Sequence, residues 1–167
     1  MARDHPDEAQ PRLHKALDRF HHLGITFGAY RALIALGDVE RVRGLHAAAD
    51  RISVSTACYQ EVLLIAQQNH FTPMLASTLE GLSYIAIIKD EYAFAAKLLG
   101  AAQTRREAVD LIRFAHEVAC YQHNLALLQT KLSEADFTVA WQEGQAMSLD
   151  QIITYALSGL PQLATQS

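Results

Sequence analysis

"LEGLSYIAIIKDEYAFAAK" (Leu79–Lys97) decides the fold, because the chain says it twice. "LIALGDVERVRGLHAAADR" (Leu33–Arg51) lies over it without gaps. Leu33 and Leu36 fall on Leu79 and Leu82, Gly37 on Ser83, His46 on Tyr92, and Ala47 and Ala49 on Ala93 and Ala95. Each copy carries large apolar residues three apart, then a small residue, a polar turn, and a helix opening on alanines. Small residues at a crossing let two antiparallel helices approach closely while leucines fill the groove between them. Such a hairpin cannot bury both faces alone, so it stacks on neighbours.

Outward from the repeat, helical punctuation is frequent and strand patterns are scarce. "RISVST" (Arg51–Thr56) is the one doubtful β-branched run. Thr72-Pro73 reads as an N-cap with proline at the first helical position. Ser148 with Gln151 has the pattern of a capping box, and Ser133 with Asp136 a weaker version of it. Gly24, Gly44, Gly100 and Gly144 stand where helices could end. The spacing predicts helices over about 8–23, 26–43, 46–69 (with a possible break near Ser53), 73–88, 91–107, 110–131, 134–146 and 149–158. With no linker between them, residues 8–158 are expected to form one all-α domain of stacked antiparallel hairpins, an α-α superhelix. Residues 1–7 read as a frayed lead-in and 159–167 as a tail.

Composition narrows the role. Of 167 residues, 50% are hydrophobic and 19% charged, which suits a packed domain and not a disordered one. A net charge of −4 offers no basic face for a phosphate backbone, so direct nucleic-acid binding is not expected. No apolar run reaches the roughly 20 residues of a bilayer span. The start lacks a signal-peptide core, and Cys58 and Cys120 show no disulfide spacing, so a reducing cytoplasm is expected.

"LEGLSYIA" (Leu79–Ala86) followed by "DEYAFAAKLLGAA" (Asp90–Ala102) resembles a tetratricopeptide repeat, with its leucine pair, small residue, tyrosine and paired alanines. The first copy continues through "VSTACYQEVLLIAQQ", so the longer repeat is similar to the MalT-like relatives of that fold. From Tyr59 to Leu157 the chain, with "KLLGAA", "F137xxAW141xxG144" and "SLxxxI", is similar in order and spacing to the extreme C-terminal region of large bacterial regulators. Those proteins carry a signalling NTPase module, often with a LuxR-type or other DNA-binding domain. The family has a proline-rich turn after "REA" where this chain reads "VDLIRFAHE", which predicts an earlier start for the next helix. The resemblance implies a stand-alone or truncated sensor or oligomerisation arm.

Three groups of residues invite chemistry. Glu134, Asp136, Glu143 and Asp150 surround Trp141. However, Phe137, Ala140, Trp141 and Gly144 recur at i, i+3, i+4, i+7, a core stripe, and Glu134, Asp136 and Asp150 suit helix first turns. His116, Cys120 and His123 in "HEVACYQH" would share a helix face and are ligands zinc accepts. With no fourth ligand evident, packing is the preferred reading, and no metal or cofactor is expected. His14, His21 and His22 could titrate together on the first helix. Arg105-Arg106 reads as a helix C-terminal cap. There is neither a phosphate-binding loop nor a nucleophile elbow, and no catalytic residue is expected.

The favoured role is therefore a non-catalytic protein-interaction or scaffold module. Its groove would be lined by Arg31, Ile34, Asp38, Arg41, Ser77, Glu80, Tyr84 and Ile87, with Tyr84 as aromatic anchor for a protein or peptide. A homodimer through the open face of the terminal helix is a variant of this. The alternatives are a small-ligand sensor with a pocket around Tyr92, Phe94 and Trp141, and a metal-dependent protein built on His116, Cys120 and His123.

Overall fold

The computed structural model describes residues 6–47, 49–69, 74–110, 112–113 and 115–165. Within them the chain is all-α, with eight helices: α1 (Pro6–His22), α2 (Thr26–Ala47), α3 (Ala49–Asn69), α4 (Leu75–Ile88), α5 (Tyr92–Glu107), α6 (Ala115–Lys131), α7 (Glu134–Ala146) and α8 (Leu149–Thr165). The two copies of the repeat become the hairpins α2–α3 and α4–α5, but their turns do not coincide: α2 runs on to Ala47, past the end expected at 43, so His46 lies inside α2 where Tyr92 opens α5. Leu33, Leu36, Leu79 and Leu82 are all buried, as leucines in a helix–helix groove should be.

Local chemistry sets the ends. Gly24, at φ +66°, closes α1 in a left-handed turn, with the Ile25 amide donating to the Phe20 carbonyl at 2.9 Å. Asp90 and Asp110 take the same left-handed role after α4 and α5, a conformation aspartate tolerates better than most residues. The capping box forms in both directions: the Ser148 amide donates to Gln151 Oε1 at 2.8 Å, and the Gln151 amide to Ser148 Oγ at 3.3 Å. Ser133 Oγ likewise accepts from the Asp136 amide at 3.1 Å. The expected Thr72-Pro73 cap lies outside the described residues.

Several expectations need correction. "RISVST" is helical, inside α3. Its hydroxyls are satisfied by carbonyls, Thr56 Oγ1 donating to Ile52 at 2.8 Å and Ser55 Oγ to Gly37 at 2.7 Å, and α3 runs through Ser53 without a break. Gly44, Gly100 and Gly144 end no helix. The helix expected from 110 starts at Ala115, because the chain turns at Asp110. The last helix continues to Thr165, through part of the segment read as a tail. There Gly159 lies against the Phe94 ring and Leu160 is buried, packing that outweighs the hydrogen bond lost at Pro161.

Tyr59 of α3 is the hub of the core. It is fully buried, its ring lies against Gly37 of α2 and Gly81 of α4, and its hydroxyl donates to Asp38 Oδ1 at 2.7 Å. A Cβ at Gly81 would sit 2.4 Å from Tyr59 Cζ, so two glycines make the slot. α7 packs along α5. α8 returns to α3 and also touches α4 and α5, burying Ile152, Ile153, Ala156 and Leu160. That apolar stripe, whose exposure was the reason to expect a dimer through the last helix, is thus covered from within the chain. α6 is more thinly attached, touching α4, α5 and α7.

Cys58 is buried beside this hub, and burial, with Glu61 and Glu40 nearby, pushes its thiol from 9.0 up to about 11. Between those two values an unfolded chain loses the proton that the folded chain keeps. Stability should therefore be complete below about pH 9 and fall by about 2 kcal/mol as pH rises to 11. Urea midpoints measured from pH 8 to 11 should show that decline, and Cys58→Ala should flatten this part of it.

Candidate functional site

The expected groove face of α2 and α4 proves to hold charge, and the chain itself answers that charge. Glu80 sits one turn into α4 with its side chain 7% exposed, against Arg106 at 4% and Arg113 at 14%. Arg106 closes on it in a bidentate fork, Nε to Oε1 at 2.7 Å and Nη2 to Oε2 at 2.7 Å. Arg113, in the α5–α6 connection, adds Nη2 to Oε1 at 2.7 Å and Nε at 3.1 Å. Arg113 also donates to Gln103 Oε1 at 3.0 Å and stacks 3.7 Å over the Tyr121 ring of α6. Such fork geometry favours arginine over lysine. Burial opposes the Arg106 charge, but the hydrogen bonds and charge of Glu80 outweigh it and its pKa is raised.

The network makes Arg113 the tie between α4, α5 and α6. Arg113→Ala should cost about 1–2 kcal/mol and release α6 preferentially. Amide exchange across 115–131 should accelerate more than in α2–α3; uniform acceleration would mean that Arg113 does not hold α6 specifically.

The expected groove residues are distributed unevenly. Ile34, Glu80, Tyr84 and Ile87 are buried, Asp38 and Ser77 half-buried, and Arg31 exposed. The Arg41 side chain lies outside the described residues. Asp38 is engaged by Tyr59, and Arg106 reaches Ser77 at 3.4 Å. Arg106 is therefore not a simple helix cap. Arg105 does cap a helix, but a different one from its own: its Nη2 donates to the Met147 carbonyl, at the end of α7, at 2.5 Å.

Trp141 belongs to the packing stripe the spacing predicted. Ala140 and Gly144 are buried, and Phe137 and Trp141 stack at 5.5 Å. A Cβ on Gly144 would lie 2.0 Å from the Lys97 carbonyl, and one on Gly100 2.4 Å from that of Trp141. The α5–α7 crossing is backbone on backbone. Tyr92, Phe94 and Trp141 line neither of the two described cavities. Phe94 pairs with Tyr155 at 5.0 Å, and Tyr92 donates to Asp90.

Of the metal candidates, the His116 side chain lies outside the described residues. Cys120 is half-buried and accepts from Asn124, at 2.8 Å on its carbonyl and 3.4 Å on its sulfur, while His123 is exposed. Among the described residues no three potential ligands cluster. His14, His21 and His22 are exposed, and His21 faces Glu61 at 3.6 Å.

The sequence did not show that two carboxylates of the C-terminal stretch share a cleft. Glu143, Ala146 and Met147 form one side of a space of about 750 Å³, and Asp150, Thr154 and Tyr155 the other. Glu143 is bound by Lys97 of α5, which raises the lysine pKa and lies 5.0 Å over the Tyr155 ring. A second cavity, of about 400 Å³, lies where the α1–α2 turn meets Ile65 of α3. No helix of the described residues is long and apolar enough to cross a membrane.

No family model matches the chain, and no solved structure matches it. It is similar to proteins named "Putative HTH-type transcriptional regulator" from Mycobacterium bovis and from two strains of Mycobacterium tuberculosis, each 30% identical over 129 residues. That similarity takes in 77% of this chain but 13% of each of those proteins, so the chain spans a small part of the length of the curated relatives it matches.

Proposed function

We propose that this chain is a non-catalytic protein-interaction arm of a bacterial transcriptional regulator, built of tetratricopeptide-like, MalT-like hairpins. DNA recognition and any nucleotide chemistry then lie outside these residues. The observation that carries the reading is the similarity to the mycobacterial regulators across most of the chain. The paired hairpins with leucine seams and glycine-lined contacts support it, since stacked hairpins offer extended surfaces to partner proteins. Within this reading the α2/α4 face is the candidate partner surface where it is open, at Arg31 and the half-buried Asp38 and Ser77. Ile34, Glu80, Tyr84 and Ile87 form its floor.

The test is to tag the chain at its own locus in its host, cross-link in cells, and identify what is covalently or chemically attached. The expected result is a helix-turn-helix protein, either continuous with the tagged chain in a band several times larger than 18.5 kDa or cross-linked to it. A tagged band of 18.5 kDa with no DNA-binding protein attached would overturn the reading.

A further inference from the structure

Arg113 fills a slot that it does not build. Glu80 comes from α4, Gln103 from α5 and Tyr121 from α6, and all three meet on its guanidinium. Glu80 Oε1 accepts from Nη2 at 2.7 Å and from Nε at 3.1 Å. Gln103 Oε1 accepts from Nη2 at 3.0 Å, and the Tyr121 ring centre lies 3.7 Å from Cζ. Gln103 Nε2 in turn donates to Glu107 Oε1 at 2.6 Å, which leaves its amide oxygen to face the slot. A buried carboxylate, an oriented amide oxygen and an aromatic face together select a guanidinium. The first two match its planar fork of N–H groups and the third its flat face, neither of which an ammonium has.

The surrounding charge favours a cation even with Arg113 counted out. The carboxylates that weigh on Tyr121 and Arg106 are those of Glu80, Glu107 and Glu117, against the one guanidinium of Arg106. Lys97 and Arg105 are engaged elsewhere, on Glu143 and the Met147 carbonyl. Arg113 itself is held chiefly by its own head group. In the α5–α6 connection that carries it, Val109 is 52% and Ile112 84% exposed, so neither packs the chain down. The slot also borders open surface, because Ser77, one turn before Glu80 on the same face of α4, is half-buried.

We propose that Glu80, Gln103 and Tyr121 are a receptor slot for an arginine side chain of a partner protein, occupied in the free chain by Arg113. The exchange is guanidinium for guanidinium. The incoming arginine takes over the same hydrogen bonds and the same ring face, the charge beside Glu80 is unchanged, and Arg113 turns out to water. The tethered arginine sets a threshold, since a partner binds only the fraction of molecules whose slot is vacant. An anionic ligand meets three carboxylates here, and a lysine lacks the fork. The inference rests on the reading of the α2/α4 face as a partner surface and names the side chain that face takes.

The first probe is ethylguanidinium, the end of an arginine side chain, with ethylammonium at equal ionic strength as control and amide exchange across 115–131 as readout. In Arg113→Ala, ethylguanidinium should slow exchange back toward the parent rate and ethylammonium should not. The second probe is a fluorescein-labelled, alanine-based helical peptide with a single arginine, followed by anisotropy. Arg113→Ala should bind it about tenfold more tightly than the parent chain does, because the competing side chain is gone. Lysine in place of the peptide's arginine should abolish the gain. Arg113→Ala combined with Tyr121→Leu keeps the carboxylate but removes the ring, and should lose both the rescue and the gain. Circular dichroism establishes that each variant is folded. Equal responses to the two small cations, no response to either, or a rescue that survives the loss of Tyr121 would overturn the slot. Rescue without a gain for the arginine peptide would make the slot an internal latch only and overturn its role toward partners. A chain that fails these tests yet still cross-links to a helix-turn-helix protein in its host loses the slot and keeps the proposed function.

Discussion

Glu80→Ala is expected to remove about 3–5 kcal/mol of folding stability, the largest loss of any single polar substitution in this protein. The carboxylate accepts four hydrogen bonds from two guanidiniums. Truncating it leaves Arg106, 4% exposed, with the long contact to Ser77 Oγ and the weaker field of the Glu117 carboxylate. A buried cation without its counter-ion costs far more than the intact pair contributes, because desolvation of the charge is no longer offset. In urea the midpoint should fall by about 2 M for a protein of this size. Replacing Glu80 and Arg106 together with methionine and leucine should be milder than Glu80→Ala, although Arg113 must then turn outward to water. A loss below about 1 kcal/mol for Glu80→Ala would mean that water reaches the site and the pair behaves as a surface one.

Gly144→Ala is expected to cost about 2–4 kcal/mol, against the usual sign for glycine in a helix. Alanine normally gains up to about 1 kcal/mol over glycine in a helix interior. Here the added Cβ would meet the Lys97 carbonyl at 2.0 Å and the Ala101 amide nitrogen at 3.1 Å. Both are backbone atoms of α5, so no side chain can swing aside and α7 must move as a body. The melting temperature should drop by about 5–15 °C. Gly100→Ala strains the same crossing from the other helix, so the double variant should lose less than the sum of the two. Gly24→Ala is the contrast: its Cβ meets nothing within 4 Å, and its cost of about 1–2 kcal/mol comes from the left-handed backbone alone. If Gly144→Ala melted at or above the parent temperature, α5 and α7 could not be in backbone contact.

What was legible before the structure was the local part of it. The helices, the leucine pairs of both hairpins, the Phe137–Gly144 stripe and the Ser148–Gln151 box follow from residues within one or two turns of each other. Their energies depend on spacing along the chain, and spacing is what a sequence records. Where local signals misled, a tertiary contact had won. Gly100 and Gly144 look like helix ends but serve a close crossing, and Gly159 and Pro161 look like a stop but are carried through by packing on Phe94.

The candidate sites were less legible because they join distant residues. Glu80 and Tyr84 share a helix face with Ser77, and the spacing made that face a groove for another molecule. It could not reveal that Arg106 and Arg113 fold back over Glu80. Asp150 was read as a first-turn acid and is one, whereas only the tertiary structure brings Lys97 of α5 onto Glu143. By itself the sequence determined the helical class, most helix positions and the ends at Gly24, Ser133 and Ser148, since each is set by contacts a few residues long. The tertiary structure alone decided which charges neutralise each other, where α8 returns, and which face stays open, because those depend on how rigid helices cross in space.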